Sequence, residues 1–319
     1  MNAKKIVILG TGGTIAGQSS SLANNIDYTA AQFSVDQLVA AIPALATQGN
    51  LLCEQVAQID SKDMTFAVWT ALASRVQHHL AQVDVQGVVI THGTDTLEET
   101  AYFLQAVLGP SKPVVLTCAM RPATATVPDG PQNILDAVTV ARYPGAHGVV
   151  VVCAGVVHSA FDVQKIHTFQ LNAFGSGDAG PTGFMGENGL ELLRNWPEAQ
   201  KIHVRIAIEN IAALNRIEFW PRVDIVMNYA GVDGGPVDAL VGQGVQGLVV
   251  AGTGNGTVHQ VLEASLLKAT AQGVQVVRAT RCVDGPVIAR ADDIFPASNG
   301  LSPVKTRIAL MLDLMKISR

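Results

Sequence analysis

Ile6-Val7-Ile8-Leu9 runs into Gly10-Thr11-Gly12-Gly13-Thr14, and Gly87-Val88-Val89-Ile90-Thr91 runs into His92-Gly93-Thr94-Asp95. Each is a short apolar run ending in a turn that carries glycine and threonine. An unbroken apolar run bounded by turn residues is the pattern of a strand buried on both faces. Pro113–Thr117, ending at Ala119-Met120-Arg121-Pro122, and Gly148–Cys153 repeat the pattern. Helical stretches lie between them, near Met64–Ala81, Leu97–Leu108 and Gln132–Ala141. Strands alternating with helices predict an α/β domain built on a parallel sheet. Asp95 or Thr96 is the expected cap of the second helix, with Glu98 and Glu99 in its first turn, where carboxylates suit the dipole. Parallel strands end on one edge, and such sheets take ligands there, so the three turns are predicted to face one crevice.

The rhythm fades from about Glu191 to Trp220 and then resumes. Strands are expected near Val223–Met227, Leu248–Ala251 and Val274–Ala279, a helix between Val258 and Ala271, and another near Lys305–Ile317. The chain therefore divides into a catalytic α/β domain over 1–190, a connector over 191–220 and a smaller α/β domain over 221–319. A length of 319 residues agrees, because single cores stop growing at roughly 250–300 residues.

Composition narrows the partners. Apolar residues make up 48% of the chain and charged ones 15%, with a net charge of -5, so nothing favours nucleic acid, which needs a basic stripe, and none is expected as a partner. The longest apolar stretch, Gly148–Val157, is about half the ~20 residues a spanning helix needs. Lys4-Lys5 precede only four apolar residues, too few for a signal-peptide core, and a cytoplasmic location is expected. The cysteines, Cys53, Cys118, Cys153 and Cys282, form no CxxC pair and no His/Cys cluster, so no metal is expected. No nucleotide cofactor is expected either. Ile15 replaces the last glycine of a GxGxxG turn, and Gly252–Thr257 misses it too. Gly175–Gly180 fits the pattern literally, but Pro181 and Gly183 follow it, so it opens no helix.

What remains are hydroxyls beside glycines that let a ligand approach the backbone closely. A lone threonine in such a turn is most often a helix cap. Two of them at separate strand ends, one next to Asp95, suggest a nucleophile and its helpers, and Lys165 joins them if folding carries its amine to Thr94.

The first signature, Ile8–Gly17, and the second, Gly87–Leu97, resemble those of the bacterial-type L-asparaginases. The resemblance continues through Glu98–Leu104, Ala119–Pro122, Asp129–Pro131, Asp162–Lys165 and Gly254–Gly256, in order along nearly the whole chain. It implies a larger N-terminal α/β domain, a smaller flavodoxin-like C-terminal one, and a homotetramer built from two intimate dimers. It implies hydrolysis of the side-chain amide of L-asparagine, with weaker action on L-glutamine. By motif position Thr14 matches the nucleophile and Tyr28 a tyrosine on a mobile loop, here within Ser19–Ala31. Thr94, Asp95 and Lys165 match a second triad, Ser61 and Asp95 hold the substrate's α-carboxylate and α-ammonium, and the Ala119 carbonyl meets the amide. Backbone N–H groups near Gly13 and Thr94 would serve as oxyanion donors, and Gly13, Gly93 and Thr94 would contact the substrate. Either threonine could lead the first step.

Three positions depart from the pattern. Lys62 stands in place of a glutamine, Thr257 in place of an asparagine, and Arg290 near the position of a glutamate. Asn255, Thr257 and Arg290 fall where a neighbouring subunit would reach the substrate amine. Pro110 and His78–Leu80 occupy the positions of the cysteines that pair in some periplasmic relatives, which points to a reducing compartment. Two other functions compete: an amidotransferase subunit, whose extra N-terminal domain is not expected here, and a non-catalytic binder of small ligands.

Overall fold

The computed structural model describes residues 4–20, 26–198, 214 and 220–317, which fall into two compact units, 4–198 with Leu214 and 220–317. The expected connector lies outside the described residues over 199–213 and 215–219, as do residues 21–25 of the Tyr28 segment.

The first unit is built on an eight-stranded sheet. Its parallel part comprises β1 (Lys5–Gly12), β4 (Leu51–Ile59), β5 (Val85–Thr91), β6 (Val114–Thr117) and β7 (Val149–Cys153). Two short strands, β2 (Gln18–Ser19) and β3 (Tyr28–Thr29), pair with each other outside it. After β7 the chain reverses into β8 (Val156–Ser159). The two-residue strands β9 (Gln164–Lys165) and β10 (Phe174–Gly175) then pair, and β11 (Gly183–Gly186) and β12 (Gly189–Leu192) extend the sheet antiparallel. The strand order is β12-β11-β8-β7-β6-β5-β1-β4, so the sheet is parallel through its core and antiparallel at one side.

Alternation divides the strand residues between two faces. Ile6, Ile8, Val89, Val115, Val150 and Val152 pack with helices α1 (Val35–Ala40) and α4 (Gly130–Arg142). The other face takes α2 (Phe66–Leu80) and α3 (Leu97–Leu108), which pack on each other and on β5 and β7. Burial on both faces explains why these strands read as continuous apolar runs. β1 and β5 are neighbours, yet the helices that follow them, α1 and α3, lie on opposite faces. That is a topological switch point, where open α/β sheets hold ligands. Gly10, Thr91, Thr117 and Val152 pair side by side, so the turns that follow leave from one row.

The second unit has three parallel strands, β13 (Val223–Met227), β14 (Gly247–Gly252) and β15 (Gln275–Thr280), in that order. α5 (Gly235–Gly242) and α6 (Gln260–Ala271) share one apolar cluster with the sheet, and α7 (Pro303–Ile317) packs on all three strands. No helix among the described residues is long and apolar enough to cross a membrane.

Candidate active site

The two signature turns are in contact through glycine. Gly13 has φ 81° and ψ -172°, a region open essentially to glycine alone. A Cβ there would lie closer than 3.0 Å to the Cα and N of Gly93. A Cβ on Gly93 would in turn meet Ser61 Cβ at 2.7 Å and Gly13 Cα at 3.1 Å. Three segments thus converge, Gly13 and Gly93 backbone to backbone and the Ser61 side chain against Gly93. Hydrogen bonds hold them: Gly13 N–H donates to Ile59 O at 2.9 Å, a bond that takes it from the substrate, and Thr11 Oγ1 donates to Thr91 O at 2.9 Å.

Thr14 begins a single 3-10 turn and is buried, with its Oγ1 2.6 Å from Tyr28 Oη. The β2–β3 pair sets Tyr28 there, and its ring packs against Gly17. Thr94, also buried, accepts a bond from Lys165 Nζ at 2.8 Å, and the same amine donates to Asp95 Oδ1 at 2.6 Å. Thr94 Oγ1 lies 3.4 Å from that carboxylate oxygen. Lys165 is held by its pairing with Phe174 across β9 and β10. Just before it, Asp162 is fixed by Ser159 Oγ at 2.7 Å and Arg194 at 2.6 Å.

Ser61, fully enclosed, accepts the Asp95 N–H on its Oγ at 3.1 Å, while its carbonyl accepts from Thr96 Oγ1 at 2.8 Å. α3 therefore follows its N-cap residue, Thr96, without the side-chain cap expected of Asp95 or Thr96, because both side chains are committed to the site. Ala119 is anchored from both sides. Asn133 Nδ2 donates to Cys118 O at 2.8 Å, and the Asp129 carboxylate accepts the N–H groups of Met120 and Arg121 at 2.9 Å each. The structure thus brings Gly13, Thr14, Tyr28, Ser61, Gly93, Thr94, Asp95 and Lys165 into one connected set, with Ala119 at the next strand end.

Lys62 does not enter that set. Its ammonium pairs with Asp63 and Asp60, and its side chain is mostly exposed. Asn255, Thr257 and Arg290 belong to the second unit. Asn255 spends its amide on Ile288, donating at 3.0 Å and accepting at 2.7 Å. Thr257 Oγ1 donates to Thr253 O at 2.9 Å, and Arg290 N–H donates to Asp293 at 2.7 Å.

Sequence reasoning missed the supports: His92, Thr100, Asp129 and Asn133. Their signal was available, since His92 and Asp129 lie inside the motifs themselves. His92 is fully buried, and desolvation pushes its pKa down to about 4, against the opposing pull of the Gly93 carbonyl. Its imidazole is neutral. The Cys118 and Cys153 thiols lie 3.8 Å apart in the core, and that contact together with burial pushes Cys118 well up. Among the described residues no group of three or more His, Cys, Asp or Glu side chains could hold a metal ion.

A family model described as asparaginase, N-terminal, matches residues 5–198, and one described as glutaminase/asparaginase C-terminal domain matches 222–318. The chain is 40% identical to L-asparaginase 2 of Escherichia coli (strain K12), over 97% of this chain and 88% of that one. It is 38% identical to L-asparaginase 2 of Bacillus subtilis (strain 168), over 98% and 82% respectively. Among solved structures, a probable cytoplasmic L-asparaginase from Campylobacter jejuni matches with a TM-score of 0.91 at 37% identity, covering 99% of this chain and 96% of that one.

Proposed function

The chain belongs to the asparaginase family, and from that premise we propose that it is an L-asparagine amidohydrolase whose reaction runs through a threonine ester. Amide hydrolysis needs a nucleophile, a proton path to the leaving nitrogen and donors for the tetrahedral oxyanion. Thr14 Oγ1 attacks the side-chain amide carbon, and Tyr28 Oη, 2.6 Å away, receives its proton and relays it to the departing ammonia. Thr94 and Lys165 then orient water onto the ester and release aspartate, with Asp95 binding the α-ammonium and Ser61 the α-carboxylate. The Thr94 N–H, beside Gly13 and Gly93, faces the substrate, and the Ala119 carbonyl accepts from its amide. The observation that carries this reading is the Lys165 amine bridging Thr94 and Asp95 on a turn in backbone contact with the Thr14 turn.

L-Glutamine is a weaker substrate of the same site. The catalytic domain is 1–190, joined by a 191–220 connector to the 221–319 domain, and the working form is a cytoplasmic homotetramer of intimate dimers. The neighbouring subunit contributes Asn255, Thr257 and Arg290 toward the substrate amine. A guanidinium in place of a carboxylate repels the ammonium by about 1 kcal/mol at 4 Å in water, which raises KM without altering the amide chemistry.

Ammonia release from L-asparagine, L-glutamine and D-asparagine tests the function, with Thr14→Ala alongside. Turnover of L-asparagine lost in a folded Thr14→Ala protein is the expected result. Full rate in that variant removes Thr14 as the nucleophile, and no turnover of any amide by wild type removes the function.

A further inference from the structure

A hydrogen-bonded chain runs from the core to the Thr94 turn. Trp69 Nε1 on α2 donates to Thr100 Oγ1 on α3 at 2.8 Å. Thr100 Oγ1 lies 2.9 Å from His92 Nε2, and His92 Nδ1 lies 2.7 Å from the Gly93 carbonyl. All three side chains are buried: Trp69 is 4% exposed, and Thr100 and His92 are at 0%.

The two ends dictate every proton between them. An indole N–H can only donate and a carbonyl oxygen can only accept. Thr100 therefore takes the indole proton on a lone pair and gives its own to His92 Nε2. His92 must carry its proton on Nδ1 and give it to Gly93 O. This order needs a neutral imidazole, and burial supplies one by holding the pKa near 4.

The consequence falls on the next amide. The peptide joining Gly93 to Thr94 is trans, since no bond among the described residues is cis, so its carbonyl and N–H point in opposite directions. A carbonyl drawn inward onto His92 turns the Thr94 N–H outward. That N–H has no acceptor among the described residues, whereas the following one, on Asp95, is taken by Ser61. Glycine at position 93 leaves this peptide free to rotate unless something fixes it.

We propose that Trp69, Thr100 and His92 form a one-directional relay that aims the Thr94 N–H at the substrate, making His92 a positioning residue for the reaction. The relay rests on the amidohydrolase reading for its purpose, but not for its proton order.

Two measurements separate these. Nitrogen-15 NMR of the imidazoles, with His92 assigned by its loss in His92→Gln, reads the tautomer without any turnover. The Nδ1–H form at neutral pH is expected, and the Nε2–H form overturns the relay even in an active enzyme. Steady-state kinetics then read the purpose through Thr100→Val, which keeps the shape and removes the hydroxyl, and Thr100→Ser, which restores it. A donor present but misaimed costs kcat more than binding, so Thr100→Val should lower kcat about 10- to 100-fold with KM within about threefold. Thr100→Ser should recover most of that loss. Wild-type kcat in Thr100→Val overturns the proposal, as does an equal loss in both variants, which would report packing. A wild type with the Nδ1–H form but no amide turnover overturns the function and leaves the relay standing.

Discussion

Replacing Gly13 by alanine tests the contact on which the whole site depends. The residue sits at φ 81° and ψ -172°, where a side chain costs about 1–3 kcal/mol in backbone strain. The new Cβ would also lie closer than 3.0 Å to Gly93 Cα and N, and 2.9 Å from the His92 carbonyl carbon. These are backbone atoms, so no rotamer change can relieve them. Ordinary contact begins at 3.4 Å, and the two turns must part by about 1 Å to reach it, an overpacking cost of about 1–3 kcal/mol more. Gly13→Ala should therefore lose about 2–6 kcal/mol of stability. A displacement of about 1 Å between catalytic groups costs about 100-fold in rate, and that loss should appear in the folded fraction. Gly145→Ala is the control: its φ is +80°, but a Cβ there would meet nothing within 4 Å. Urea denaturation gives the stabilities, and ammonia release from L-asparagine gives the rates. Equal destabilisation of the two variants, with full activity in Gly13→Ala, would refute the back-to-back packing of the turns.

Three other outcomes follow from the geometry. Lys165→Met removes the amine that joins Thr94 to Asp95. It should cut kcat by about 10³-fold while aspartate still binds in calorimetry, and unchanged kcat would deny Lys165 its part. His92 has a folded pKa of about 4 against an ordinary 6.5. The unfolded chain thus takes up a proton that the folded one refuses, so the contribution is intact above pH 6.5 and is lost progressively toward pH 4, by about 3 kcal/mol. Denaturation curves of wild type and His92→Gln should diverge over that window, and parallel curves would contradict the burial. Thiol labelling of native protein at pH 8 should find one fast cysteine, exposed Cys282. Cys53 is pushed up to about 11, and Cys118 and Cys153 are enclosed. A second fast thiol would show that the core opens.

The parallel core of the first unit was legible because its strands are buried on both faces and read as unbroken Val and Ile. β4 was not: Leu51–Ile59 is an edge strand pairing only with β1, and its mixed Glu, Gln and Val reflect that half-exposed position. α5 escaped for a different reason, since Gly235-Pro236 at its start and Gly242 at its end read as loop. α1 is only six residues, although Ser34 and Gln37 form a capping box that sequence alone could have offered. The antiparallel side, β8, β11 and β12, carries too few residues per strand for periodicity to register.

The site shows the same division at finer scale. Each signature turn announced itself locally through its glycines, but their mutual contact could not, because it depends on β5 crossing over to lie beside β1. Lys165 is the extreme case, 71 residues from the threonine it touches, delivered by a chain reversal after β7 and a two-residue strand pair. The failed cap prediction shows the cost of assembling such a site. Asp95 and Thr96 are good capping residues at the right place, yet Asp95 takes the lysine, Thr96 takes the Ser61 carbonyl, and α3 begins without a side-chain cap. A lost cap costs about 1 kcal/mol, so a local rule broken here identifies residues held for chemistry in preference to helix stability.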